Sequence, residues 1–334
     1  MERFKNILLI ADFDVNQQMA VDRAVWLATQ HEARLTVLTV VRELPLTEYL
    51  SPTAIRSVEV HSLMIDDRRD KADALADTVS QQRVEARSRI AIGAPFLEII
   101  RQVLRDQHDL VILAAEGKNS VKDRLFGSTS MHLMRNCPCP VWVIKPASRE
   151  KPMRILAAVD AISNAPGCAR ASLNPLILQL ASSLTRLEGS ELHVVQAWSV
   201  LADTYASVRA QIEESVLCKL RDETKQQYAR QLDSLLSGID LSGVAMHQHL
   251  PQADDASRAI VQLAEQLDID LLVMGTVCRT GLSGFFIGNT AEHVLSEVNC
   301  SVLTVKPEGF VTPVTLEAAG EPQVSAMGVP GVSA

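Results

Sequence analysis

Val141-Trp142-Val143-Ile144-Lys145-Pro146 and Val302-Leu303-Thr304-Val305-Lys306-Pro307 are the same phrase written twice, 161 residues apart. The same offset relates Asp109-Leu110-Val111-Ile112-Leu113 to Asp270-Leu271-Leu272-Val273-Met274, Cys139 to Cys300 and Gly127 to Gly288. Nearer the start, Ile7-Leu8-Leu9-Ile10-Ala11-Asp12 echoes Ile155-Leu156-Ala157-Ala158-Val159-Asp160 at an offset of 148, so the second copy carries a net insertion of 13 residues in its middle. A duplicated unit of about 150 residues implies two domains of one fold, not a cofactor domain followed by a substrate domain. The expected bounds are 1–147 and 153–310, joined by the charged, proline-flanked stretch between Pro146 and Pro152. After Phe310 the chain becomes rich in Gly, Pro, Ala, Val and Ser without periodicity, so 311–334 is expected to be a mobile tail.

Each copy alternates short apolar runs with longer amphipathic segments. Strands are predicted at 6–12, 34–41, 87–92, 109–115 and 141–145, then at 154–160, 191–197, 243–249, 270–275 and 302–306. Helices are predicted at 17–31, within 51–82, at 96–107 and 128–136, then at 175–187, within 204–237, at 256–267 and 289–298. Short Val-, Ile- and Leu-rich strands indicate a parallel sheet buried on both faces. Strand–helix alternation adds right-handed crossovers. The predicted architecture is therefore two tandem doubly wound α/β domains, with helices on both faces of each sheet. Asn174-Pro175 reads as a helix cap followed by proline at the first helical position.

Composition narrows the function. The chain has 334 residues, 47% of them hydrophobic, and a net charge of −8. Residues 1–150 hold 20 basic and 20 acidic side chains, so the whole excess of acid lies in the second half. A nucleic-acid binder would show a basic stripe, because phosphate contacts dominate its affinity. Direct nucleic-acid binding is not expected. The apolar run after Arg3 and Lys5 stops at Asp12, too short for a membrane span or signal core. Six cysteines show no paired spacing, which fits a reducing cytoplasm.

In an open parallel sheet, ligands collect beyond the carboxyl ends of the strands where the strand order reverses. Two places matter in each copy: Asp12 or Asp160 after the first strand, and the loop leaving the fourth. That loop reads Ala114-Ala115-Glu116-Gly117-Lys118 and, with nine residues between it and Gly117, Gly127-Ser128-Thr129. Its second copy reads Gly275-Thr276-Val277-Cys278-Arg279 and, with nine residues between it and Cys278, Gly288-Asn289-Thr290. This pattern resembles the G-x2-G-x9-G-[S/T] loop of the nucleotide-binding universal stress proteins. Arg279-Thr280-Gly281 and Gly288-Asn289-Thr290-Ala291-Glu292 resemble the second repeat of the tandem E-type branch of that family. The resemblance covers roughly 4–146 and 153–307.

The resemblance implies five-stranded sheets of order 3-2-1-4-5, pairing of the two domains along their final strands, and an adenine nucleotide such as ATP in at least one crevice. It also implies a cytoplasmic role in stress survival, including tolerance of DNA damage, exerted by ligand sensing or partner binding without turnover. A homo-oligomer or a separate protein partner stays open. In such a loop, glycines let backbone N–H groups approach phosphate and adopt φ > 0. Ser128-Thr129 or Asn289-Thr290 then opens a helix whose unpaired N–H groups favour an anion. Lys118 and Arg279 add charge beside the second motif position. Asp12 or Asp160 is expected to accept from a ribose hydroxyl; the competing reading of either is a turn cap.

Both copies depart from the pattern. Ala114 replaces the first glycine in one, and Cys278 and Asn289 replace glycine and Ser/Thr in the other; Asn289 is expected to serve as a helix cap. Loop chemistry favours the first copy and likeness to the E-type branch favours the second, so both stay candidates. The rival reading is an interaction module whose loops hold no nucleotide, with an apolar ligand in a remodelled crevice. A slow ATPase or autophosphorylating protein ranks third. No Walker A loop or dinucleotide fingerprint is present. Cys137-Pro138-Cys139 lacks partners at zinc spacing and reads as core cysteine. His247 and His249 alternate on one strand face, read as an exposed polar face rather than a metal site. His132 and His293 read as helix-surface residues.

Overall fold

The computed structural model describes residues 4–45, 54–115, 126–145, 153–161, 173–200, 212–276 and 288–316. Among them the first copy forms β1 (Asn6–Ile10), α1 (Gln18–His31), β2 (Arg34–Val41), α2 (Ala54–Ser80), β3 (Ala86–Ile92), α3 (Pro95–Asp106), β4 (Leu110–Ala114), α4 (Ser128–Asn136) and β5 (Val141–Ile144). The second forms β6 (Arg154–Ala158), α5 (Leu173–Glu188), β7 (Glu191–Val195), α6 (Glu214–Ser237), β8 (Ala245–His249), α7 (Ala256–Gln266), β9 (Leu271–Gly275), α8 (Asn289–Glu297) and β10 (Ser301–Val305). The predicted elements are all present, with ends displaced by a few residues, as expected where helix ends fray and strand ends leave the ladder.

The strands join into one ten-stranded sheet of order β3-β2-β1-β4-β5-β10-β9-β6-β7-β8. Each half keeps the order 3-2-1-4-5 with parallel neighbours. The halves meet through antiparallel β5 and β10, where Val143, Trp142 and Val141 face Val302, Leu303 and Thr304. Trp142 and Leu303 are themselves repeat equivalents, so the pseudo-twofold axis passes through that pair.

Period-two alternation assigns consecutive strand residues to opposite faces. Ile7 and Leu9 join a core layer under α1, α2, α5 and α6, and Leu8 and Ile10 join the layer under α3, α4, α7 and α8. The first layer runs unbroken from Leu9 through Trp142 to Ile155 and Val194. The two domains thus share their core. The edge strands differ: β3 and β8 are only partly covered.

A repeated aspartate registers each sheet. Asp109 accepts from the backbone N–H of Lys5 at 2.6 Å and of Asn6 at 3.1 Å. Its equivalent Asp270 accepts from Arg154 N–H at 2.8 Å. These carboxylates pin the start of β1 and β6 to the loops entering β4 and β9, satisfying donors the ladder leaves open.

The beginning of α5 corrects the predicted cap. Leu173 is the first described residue of the helix, so Asn174 is itself helical and not its cap. Of the expected tail, 311–316 is described: Val314 packs on the α3–α4 layer and Arg101 donates to the Thr315 carbonyl at 3.3 Å. No helix among the described residues is long and apolar enough to cross a membrane.

Candidate functional site

Each crevice lies where the first and fourth strands of a half end side by side, β1 with β4 and β6 with β9. Asp12 follows β1 on the surface. One of its carboxylate oxygens accepts from Asp14 N–H at 3.0 Å, the turn-capping arrangement, and its own N–H donates to Gln17 Oε1 at 2.8 Å. Asp160 holds the matching place. Its N–H donates to Asn174 Oδ1 at 3.1 Å, and Asn174 Nδ2 returns a bond to its carbonyl at 2.7 Å. Gln17 and Asn174 are therefore structural counterparts, which makes Asn16 the counterpart of Leu173.

That substitution separates the crevices. Asn16 is exposed and its Oδ1 accepts from Gln18 N–H at 3.3 Å. Leu173 is buried and packs on Gly275, the first glycine of the second motif. A Cβ at 275 would lie 2.4 Å from Leu173 Cδ2. The glycine thus makes room for a leucine side chain, and the second crevice is closed on that side. In the same half, Gln196 follows β7 with only 1% of its surface exposed, and both side-chain amide atoms are buried without a partner. Leaving such groups unpaired costs about 1–3 kcal/mol. Nothing in the sequence pattern marked Leu173 or Gln196, since both read as ordinary residues of their elements.

Gly127, Gly275 and Gly288 do not use the φ > 0 freedom expected of the motif glycines. Gly127 and Gly288 are the N-caps of α4 and α8 with φ −62° and −65°, and neither they nor Gly275 has positive φ. Their value is the missing side chain, which leaves the helix amides uncapped. Ala114 sits within β4, so replacing glycine there carries no left-handed strain. Asn289 and Ser128 are first helical residues, not caps, because the glycine before each supplies the entry conformation. Ser128 is exposed and Thr129 half-buried; Asn289 and Thr290 are both exposed. Gly117, Lys118, Arg279 and the Cys278 substitution lie outside the described residues.

The two helix starts differ in charge. The first turn of α4 carries no acid, whereas that of α8 carries Glu292, which opposes an anion at that end. Glu292 also meets Arg135 at 3.5 Å across the domain boundary. An open depression of about 300 Å³ on α8 is lined by Asn289, Glu292, His293 and Ser296. Asp12 follows β1, which pairs with β4, and Asp160 follows β6, which pairs with β9 ending at Gly275; Gly288 N–H donates to the Thr276 carbonyl just beyond β9 at 3.3 Å.

The remaining chemistry is quieter. Cys137 and Cys139 are free thiols with Sγ atoms 3.6 Å apart. His132 stacks on Phe96 and His293 pairs with Glu297 at 2.7 Å, both on helices. Among the described residues no three His, Cys, Asp or Glu side chains already converge as metal ligands.

The Universal stress protein family model matches the chain twice, at 3–145 and 153–306. Universal stress protein E of Salmonella typhi is 28% identical over 334 residues, covering 95% of this chain and 99% of that one. Its namesake from Escherichia coli K12 is 28% identical over 335 residues, covering 95% and 98%. A functionally unknown protein from Pseudomonas aeruginosa PAO1 superposes with a TM-score of 0.65 at 26% identity, covering 92% of this chain and 94% of that one. A universal stress protein from Archaeoglobus fulgidus DSM 4304 shares the fold at TM-score 0.57 and 18% identity, covering 90% and 98%. With two domains matched by the family model and one continuous sheet that repeats the same strand order in each half, the chain belongs to the universal stress protein family.

Proposed function

We propose that the protein supports survival under stress, DNA damage included, as a cytoplasmic ligand-responsive module without catalytic turnover. Its domains are taken as 1–147 and 153–310, with 311–334 as the tail. An adenine nucleotide such as ATP binds in the first half alone, and the liganded state is read by a protein partner or a second copy of the chain. The observation that carries this reading is the exchange of Asn16 for Leu173, which leaves the first crevice polar at its rim and fills the second. The acid-free start of α4 adds to it. Asp12, Gly117, Lys118, Gly127, Ser128 and Thr129 form the proposed site. Asp160, Gly275, Arg279, Gly288, Asn289 and Thr290 are its closed counterpart. Helix-end electrostatics supplies about 0.3–1 kcal/mol at an exposed site, against roughly 8 kcal/mol for micromolar affinity. The loop amides and a base pocket must therefore supply most of the binding.

Calorimetric titration of ATP tests this. One nucleotide per chain is expected, abolished by Gly127→Val and unchanged by Gly288→Val. Absence of binding at millimolar ATP, or the opposite pattern in the two variants, overturns it. The second reading is a nucleotide-free module, favoured by apolar Leu173 against Gly275 and by the unpaired side-chain amide of Gln196 in the same half. That combination suits a mainly apolar ligand with a single polar group. Mass analysis of small molecules released on denaturation separates the two.

A further inference from the structure

On the outer part of the second sheet, three imidazoles share one face. In the β7–β8 register His193 lies opposite His247 and Val195 opposite His249, so period two directs all three histidines to the same side. His193 Nδ1 and His249 Nε2 are 3.0 Å apart, and the rings of His247 and His249 lie 5.1 and 5.2 Å from that of His193. The matching register positions of the first sheet are Thr36, Arg87 and Arg89. There Arg87 bonds Thr36 and Asp106. The fold does not require histidine at these places.

We propose that His193, His249 and His247 form a binding site for one divalent transition-metal ion of the imidazole-preferring class: copper(II), nickel(II) or zinc(II). Metal–imidazole bonds are about 2.0–2.1 Å, so two nitrogens 3.0 Å apart reach one ion at roughly 95°. That angle suits the tetragonal geometry of copper(II) or nickel(II) better than a tetrahedron. The ion takes the place of the proton now shared between the two rings. His193 must then carry its proton on Nε2, which is buried without a hydrogen-bond partner and lies 3.8 Å from Glu191 Oε2. A carboxylate facing the far nitrogen is the usual outer support of a histidine ligand. His247, exposed on edge strand β8, completes the set by turning its ring inward.

The electrostatic setting agrees. Burial lowers the pKa of His193 and His249, and the neighbouring histidines lower both further. Both rings are thereby kept neutral, as ligation requires. Arg154 opposes and Glu191 favours protonation of His193.

Untagged, chelator-treated full-length protein titrated calorimetrically with copper(II), nickel(II) and zinc(II) tests the site. Saturable binding of one ion is expected, with copper(II) showing nitrogen hyperfine structure in its electron paramagnetic resonance spectrum. Affinity should fall at least tenfold in His249→Gln and in His247→Gln. Far-UV circular dichroism checks that each variant folds. Since His247 is exposed, His247→Gln decides the matter should His249→Gln lose structure. No saturable binding, or wild-type affinity in a folded His247→Gln variant, overturns the proposal.

Discussion

Lys306 of the second domain donates from Nζ to the Met134 carbonyl of the first at 2.8 Å, in the last turn of α4. Its repeat equivalent Lys145 returns the arrangement, donating at 2.6 Å to the Val298 carbonyl at the end of α8. Each copy of the closing Lys-Pro phrase therefore places an amine at the C-terminus of the other domain's last helix, where carbonyls are unpaired and a cation is favoured. Lys306 also bonds Thr276 Oγ1, a partner Lys145 lacks because Ala115 occupies the matching place. Burial lowers the Lys306 pKa to about 7 and the Lys145 pKa to about 8.

These lysines set a pH dependence. The unfolded chain holds the Lys306 proton up to 10.5, whereas the folded protein releases it near 7. Between those values the unfolded state binds more protons, so stability rises with pH across the window and is lower below it. Buried Cys300, raised to about 12, pulls the other way once its unfolded thiol ionises near 9.0. Urea midpoints measured from pH 7 to about 8.5 are expected to climb, and Lys306→Met is expected to flatten that climb.

Removing the ring at the pseudo-twofold axis should weaken the whole chain. Trp142 is 1% exposed, paired with Leu303 and overlain by Arg23, whose guanidinium carbon lies 5.6 Å from the ring centre. Arg23 in turn pairs with Glu188 of the other half. Trp142→Ala is expected to cost about 3–5 kcal/mol, as for other buried aromatic truncations. Chemical denaturation should also show the halves unfolding less cooperatively.

Leu173 and Gly275 should behave as a coupled pair. Gly275→Ala forces its Cβ against Leu173 Cδ2, an overpacking that costs about 1–3 kcal/mol. In a Leu173→Ala background that cost should largely vanish. A double-mutant cycle on unfolding free energies checks this, and additive effects would separate the two side chains.

The registering aspartates give a symmetric test. Asp109→Ala and Asp270→Ala each remove a carboxylate from strand-initiating N–H groups. Hydrogen bonds to charged groups contribute about 1.5–3 kcal/mol, and partial exposure places these at the lower end. Amide hydrogen exchange at Lys5, Asn6 and Arg154 should accelerate in the matching variant alone.

How much was legible follows from the kind of information each feature needs. The repeated Lys-Pro phrase, the paired Asp109 and Asp270, and the alternation of apolar runs were readable because they are local and periodic. Two domains, their strand positions and the loops facing each crevice all came from that local pattern, and family likeness supplied the strand order. What tertiary structure alone decided depends on residues distant in sequence. Leu173 reaches Gly275 across a hundred residues, His193 meets His249 only once β7 and β8 are in register, and Lys306 finds Met134 only when β5 and β10 pair. Periodicity tells a side chain which face it occupies; closure of the sheet decides what stands opposite it.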